Sequence, residues 1–187
     1  MPHVFEPAAS GRSKCRGCGR ALQRGELRFG ERLPSPFAEG AEITLWFHPL
    51  CAAYKRGEAL LEALATAGAI ADADKLHAIA SAGVAQPRLA RIDGAERAKG
   101  VATCRHCRAP ITKGAWRIRM TLFDEGMFSP LGFVHLECGA GYCESGDILA
   151  RLLHFAPDLS DEDRVALMAD LDAQDANDAK EAKDAKE

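Results

Sequence analysis

Two stretches of the chain alternate apolar and polar residues with a period of two. Leu27-Arg28-Phe29-Gly30-Glu31-Arg32-Leu33 does so first, and Trp116-Arg117-Ile118-Arg119-Met120-Thr121-Leu122 repeats it. A period of two sends successive side chains to opposite faces, so each stretch predicts a half-buried strand. In the first, Leu27, Phe29 and Leu33 point inward while Arg28 and Arg32 share the outer face. Ile43–Phe47 predicts a further strand that ends at His48, and Phe133-Val134 leads in the same way into His135. Trp46 and Trp116 are expected in the core.

The spacing then changes to that of helices. Residues from Pro49 to about Ala67 place Leu60, Leu61 and Leu64 on one face, with Pro49 in the first turn, where its missing N–H costs nothing, and Gly68 as the stop. Asp72 is a candidate cap for a second helix through Ala82, with Leu76 and Ile79 inward. Segments 34–40 and 126–132 predict loops, and 84–95 a connector. Asp147 to Phe155 predicts a short helix. Ser160 caps another, whose acidic first turn, Asp161-Glu162-Asp163, complements the helix dipole and whose Val165, Leu167, Met168 and Leu171 would pack inward. From Asp172 onward only Asp, Ala, Lys, Glu, Gln and Asn remain, so a frayed helix or disorder is expected.

The candidate chemistry lies in the cysteines. Cys15 and Cys18 form a C-x2-C pair, 29 residues separate Cys18 from His48, and His48 with Cys51 forms H-x2-C. Cys104 and Cys107, then 27 residues, then His135 and Cys138, repeat the arrangement. Each set supplies three thiolates and one imidazole, a full tetrahedral shell for zinc with no position left for water. Such a site is structural, whereas iron–sulfur clusters ordinarily take four thiolates. Two copies use six of the seven cysteines, which argues against chance and, with no apolar leader at Met1-Pro2-His3, against disulfides. Cys143 is left over. It could replace Cys138, but Cys138 keeps the H-x2-C spacing and is preferred. His106 is read as exposed rather than ligating, and His77 as an ordinary helical residue.

With 187 residues and an internal repeat, the chain is read as two small units, each too small to bury a large core and therefore in need of a staple. Bound structural zinc contributes about 10–16 kcal/mol of apparent binding energy at neutral pH. No segment is long and apolar enough to span a membrane, and an intracellular location follows as the expectation. Charge is uneven: residues 1–57 carry nine Lys/Arg against five Asp/Glu, residues 88–151 ten against seven, and residues 152–187 four against eleven. Basic finger segments suit a polyanion, and the acidic tail does not.

Taken together, these residues resemble the zinc fingers of poly(ADP-ribose) polymerases, and also the single finger at the start of a eukaryotic DNA ligase. The first unit carries the likeness in Ser10-Gly11-Arg12 before the first cysteine, Leu27-Arg28 on the strand, the Pro-Ser-Pro-Phe-Ala-Glu-Gly segment 34–40, and Trp46-Phe47-His48-x2-Cys51. The second keeps both ligand pairs, Arg117 and Pro130-Leu131-Gly132, but has Ala98-Lys99-Gly100 in place of the Ser-Gly-Arg entry and Phe133-Val134 before its histidine. A LIM domain would continue at once into a second cysteine set, and a ββα finger would use a shorter gap and two histidines.

The resemblance implies small α+β zinc-stabilised domains, each a short antiparallel sheet plus helices. The first finger would span 1–83 and the second 96–171, followed by an acidic tail at 172–187. It implies two zinc ions, one per finger, and recognition of DNA strand breaks by structure rather than by sequence. Arg12 and Arg28 become phosphate contacts, and Phe37 with Ile43 the apolar pair that stacks on an exposed base. In the second finger the corresponding residues are Lys99, Arg117, Met127, Phe128 and Leu131. No enzymatic activity is expected of the chain, and the tail is a candidate docking segment for a repair protein. The rival reading is a protein-interaction adaptor that uses the apolar 126–132 segment.

Overall fold

In the computed structural model, residues 2–35, 38 and 40–184 are described, with side chains described through residue 173. Phe37 lies outside the described residues. The elements in order are β1 (Val4–Pro7), β2 (Leu27–Pro34), β3 (Glu42–Phe47), α1 (Pro49–Lys55), α2 (Gly57–Thr66), α3 (Ala73–Ala85), a 3-10 turn (Pro87–Arg91), β4 (Ile92–Arg97), β5 (Ala102–Thr103), β6 (Pro110–Ile111), β7 (Trp116–Asp124), β8 (Met127–His135), α4 (Gly139–Cys143), α5 (Leu149–His154) and α6 (Asp161–Asp184). They form small antiparallel sheets with helices packed beside them. The chain divides into two compact units, one of Met1–Arg91 with Leu122–Ser129 and one of Ile92–Thr121 with Pro130–Glu187.

In the first unit the sheet order is β1-β2-β3, antiparallel throughout. Phe29 of β2 faces Phe47 of β3 in register, and both are fully buried with Leu22 and Leu60. Of the residues expected inward on β2, Phe29 is buried while Leu27 and Leu33 are half-buried, and Glu31 on the same face is buried with Phe29. The other face of β2 is not solvent, however. Arg28 is 8% exposed because Trp46 of β3 covers it, which also moves Trp46 from the expected core to the opposite face of the sheet.

The helix expected over 49–67 is two helices, α1 and α2, broken at Arg56 (φ −133°, ψ 51°). Two contacts account for the break. Arg56 turns toward the buried carboxylate of Glu31, with Nε 2.7 Å from Oε2. Gly57 meets α3 so closely that a Cβ there would lie 2.7 Å from the Ala80 carbonyl oxygen. Asp72 does precede α3, but at φ 58° and without a side-chain capping bond, so the expected side-chain cap is not made. The stretch 84–95 holds the end of α3, the 3-10 turn and the first part of β4.

In the second unit β4, β7 and β8 form one sheet and β5 with β6 a two-stranded ladder. The loop expected at 126–132 is strand β8. The reversal is made by Glu125 (φ 45°) and Gly126 (φ 81°), two successive positive φ values of the kind that closes a tight hairpin. Trp116, Ile118 and Met120 of β7 are buried as the alternation predicts. Helix α4 was not anticipated. Ser160 caps α6 as expected, its Oγ accepting from the Asp163 N–H at 3.1 Å. Leu167 and Leu171, one turn apart, are the buried residues among those of that helix whose side chains are described, whereas Val165 (68% exposed) and Met168 lie off that face and do not pack inward. The backbone of α6 stays helical to Asp184. Among the described residues no helix is long and apolar enough to cross a membrane.

Two candidate metal centres and the cations around them

In each unit a tight hairpin presents the C-x2-C pair. In the first, Lys14 bridges Ala21 and the Cys15 N–H donates to the Arg20 carbonyl at 2.8 Å, leaving residues 16–19 as the tip. In the second, β5 and β6 form the stem and the Cys104 N–H donates to the Ala109 carbonyl. The other two ligands arrive from the end of a strand: His48 follows β3 and leads into α1, which carries Cys51, while His135 closes β8 just before Cys138.

The ligand atoms converge. Those of Cys15, Cys18, His48 and Cys51 lie within 4.8 Å of one another, as do those of Cys104, Cys107, His135 and Cys138. Nδ1 of His48 is 3.4 Å from Cys18 Sγ and 3.7 Å from Cys51 Sγ, and Nδ1 of His135 is 3.4 Å from Cys107 Sγ and 3.9 Å from Cys138 Sγ. Tetrahedral zinc, with Zn–S of about 2.3 Å and Zn–N of about 2.0 Å, requires S···N spacings of roughly 3.5 Å. The two clusters therefore fit two zinc ions, one in each. Cys143 is buried outside the second cluster, and His106 is exposed outside it.

The surroundings suit thiolates. The His48 N–H points at Cys15 Sγ (3.3 Å), Arg20 Nε at Cys18 Sγ (3.4 Å), and the N–H groups of His106 and His135 at Cys104 Sγ (3.4 Å each). Contacts with the Cys15 and Cys51 sulfurs drive the Cys18 thiol far below its ordinary value against the opposing effect of burial, with His48 and Arg20 adding to the shift. Burial works against ionisation of Cys104 too, yet the N–H groups of His135, Cys107 and His106 bring it down to about 6. The outer nitrogens of the ligating rings also have partners. His48 Nε2 lies 3.5 Å from Glu26 Oε1, and His135 Nε2 lies 3.2 Å from the Pro110 carbonyl oxygen. Such outer contacts fix which nitrogen faces the metal.

The residues expected to meet DNA fall into different environments. Arg12 and Lys99 are exposed, with no ion pair among the described residues. Arg28 and Arg117 are both 8% exposed and already engaged. Arg28 lies 3.6 Å over the Trp46 ring, donates through Nη2 to Glu6 Oε1 at 2.6 Å and through Nη1 to Ser13 Oγ at 3.2 Å. Arg117 lies 3.6 Å over the Phe133 ring and donates through Nε to Glu96 Oε1 at 2.9 Å. Ile43 and Leu131 are half-buried, and Met127 is 58% exposed. Phe128 is grouped with the first unit, its ring 6.3 Å from Phe47 and 4.8 Å from Phe123.

A second set of cations went unremarked in the strand pattern. Lys14, Arg16 and Arg24 in the first hairpin, and Arg105, Arg108 and Lys113 in the second, are exposed and have no ion pair among the described residues. Sequence did carry a signal for them, because no acidic residue occurs from Pro7 to Gly25 or from Arg97 to Phe123. For the partners Glu6 and Glu96 it carried none, since cross-strand register is not visible in a spacing.

The chain is similar to known poly(ADP-ribose) polymerases. The protein of that name from Drosophila melanogaster is 28% identical over 184 residues, covering 84% of this chain and 18% of the fly protein. That from Sarcophaga peregrina is 26% identical over 178 residues, covering 80% of this chain and again 18% of the relative. The likeness thus takes in most of this chain but under a fifth of each relative's length. No protein-family model matches the chain.

Proposed function

We propose that the protein is a zinc-dependent DNA-binding protein that recognises strand breaks (nicks, gaps and ends) by structure rather than by sequence, and that it serves DNA damage sensing or repair without enzymatic activity of its own. The observation that carries this reading is a repeated, closed Cys3His cluster in a chain similar over 84% of its length to poly(ADP-ribose) polymerases. Both clusters are complete four-ligand sets, which hold the fold and leave no coordination position for a substrate. Acid-free hairpins with exposed cations that have no ion pair among the described residues supply attraction for phosphate that carries no sequence information.

Break selectivity needs a second component. In intact duplex the base faces are hidden in the stack. At a nick the duplex can bend and expose one, and stacking an apolar side chain on it contributes about 1–3 kcal/mol. Phe37, Ile43, Met127 and Leu131 are the proposed residues for that contact. Phe128 instead packs in an aromatic cluster with Phe47 and Phe123. The protein would then be DNA-associated in the cell, with the acidic tail kept off the duplex and open to a repair partner.

The test is a titration of the zinc-loaded chain against matched intact and singly nicked duplexes at two salt concentrations. We expect tighter binding to the nicked duplex by about tenfold, the equivalent of 1.4 kcal/mol, with affinity falling as salt rises. Equal affinity for the two duplexes would remove break sensing and leave the adaptor reading.

A further inference from the structure

The engaged arginines share more than burial. In register, Glu6 of β1 stands opposite Arg28 of β2, and Glu96 of β4 stands opposite Arg117 of β7. Each arginine is stacked at 3.6 Å on the aromatic residue two positions before a cluster histidine, Trp46 before His48 and Phe133 before His135. The same three-part arrangement of carboxylate, guanidinium and ring is therefore built twice, on different sequences and different rings.

Within each triad the two charged partners are unequally held. The Arg28 side chain is 9% exposed and that of Glu6 44%, while the Arg117 side chain is 10% exposed and that of Glu96 25%. The guanidinium is fixed by its ring, and the carboxylate is the half that reaches solvent. We propose that Glu6 and Glu96 are stand-ins for phosphate: in the free protein each occupies the guanidinium edge that a DNA backbone phosphate takes in the complex. This rests on the DNA-binding reading above.

The chemistry of the exchange is simple. A guanidinium fork accepts a carboxylate or a phosphate with the same paired N–H geometry. The stack on Trp46 or Phe133 is kept, so the arginine enters the complex without loss of side-chain freedom. Partly exposed ion pairs are weak, worth about a fivefold factor at most, so a phosphate can displace the carboxylate. The first triad has further capacity, because Arg28 Nε is buried without a hydrogen-bond partner and Nη1 holds Ser13, next to the exposed Arg12. Glu96 is gripped harder, as Arg119 Nη1 also reaches its Oε2 at 3.3 Å. On this account the glutamates tune affinity, and an arginine can be both buried in the free protein and a phosphate contact in the complex.

The test is a double-mutant cycle on the full, zinc-loaded chain. Glu6→Gln, Arg28→Lys and the pair together are titrated with singly nicked and intact duplex, with zinc content checked for each. Glu6→Gln is expected to tighten nicked-duplex binding about twofold to fivefold, and the gain is expected to vanish in the Arg28→Lys background, where no fork remains. Glu96→Gln is expected to behave likewise. A gain of equal size with Arg28 replaced would mean that Glu6 acts only as a nearby negative charge, and weaker binding by Glu6→Gln would mean that it positions Arg28. Either result overturns the exchange while leaving break sensing intact. If the wild-type chain binds nicked and intact duplex alike, break sensing fails instead. The exchange is then read from inorganic phosphate titrated against wild type and Glu6→Gln, followed by the guanidinium NMR signals of Arg28. A lower saturating phosphate concentration in the variant is expected, and no difference overturns the proposal.

Discussion

At the scale of single residues, Cys138 and Cys143 separate what spacing can reveal from what it cannot. Both sulfurs follow His135 closely in the chain, yet only Cys138 joins the second cluster, while Cys143 is buried on α4. The H-x2-C spacing made that choice legible, because one turn of chain is the distance over which both groups can reach a single ion. Cys138→Ser is therefore expected to reduce bound zinc from two ions per chain to one, and Cys143→Ser to leave two, as read by metal analysis of the purified proteins. Loss of zinc in both variants would mean that Cys143 supports the site through packing. The state of Arg28 was not legible in the same way. A strand arginine at an alternating polar position reads as exposed, and the residues that cover it, Glu6 and Trp46, come from strands far away in sequence.

At the scale of elements, local pattern succeeded where one face is buried and failed where tertiary contact overrides propensity. Period two identified β2 and β7 because Phe29 in the first and Trp116, Ile118 and Met120 in the second are buried, even though the carboxylate of Glu31 shares the inward face of β2. The part of β8 from Met127 to Gly132 contains Pro130 and Gly132 and no alternation, so nothing local marked it as a strand. Its partner β7 and the positive φ values at Glu125 and Gly126 create it. Continuous helix was expected through Arg56 and Gly57 because nothing in the local sequence forbids it. The break at Arg56 comes instead with tertiary contacts, Arg56 turning to Glu31 and α3 lying against Gly57 at Ala80. Gly57→Ala sets these two influences against each other. Helix propensity alone would favour alanine by up to about 1 kcal/mol, whereas a Cβ placed 2.7 Å from the Ala80 carbonyl oxygen must push two backbones apart. Overpacking of this kind costs about 1–3 kcal/mol, so net destabilisation is expected in chemical denaturation of the zinc-loaded protein. A stabilised variant would show that α3 can move away.

At the scale of the whole molecule, charge is distributed against the direction that a single net value suggests. The net charge of −3 hides basic finger segments and a C-terminal stretch that carries four Lys/Arg against eleven Asp/Glu over residues 152–187. Of these, residues 172–187 alone hold six acidic and three basic side chains. Their backbone continues α6 as far as Asp184, on a sequence of Asp, Ala, Lys, Glu, Gln and Asn that offers little apolar surface to bury. Such a segment repels a phosphate backbone through the general field rather than through a contact. Removal of residues 172–187 is expected to leave zinc content and the denaturation midpoint nearly unchanged, because the segment contains no apolar side chain larger than alanine. It is also expected to tighten binding to intact and nicked duplex by a similar factor, most at low salt, since screening erases a long-range field first. The Glu6→Gln gain should differ from it by depending on Arg28. A truncated chain that binds DNA no better at low salt would show that the acidic segment lies beyond the reach of the duplex, and would turn attention to a protein partner for it.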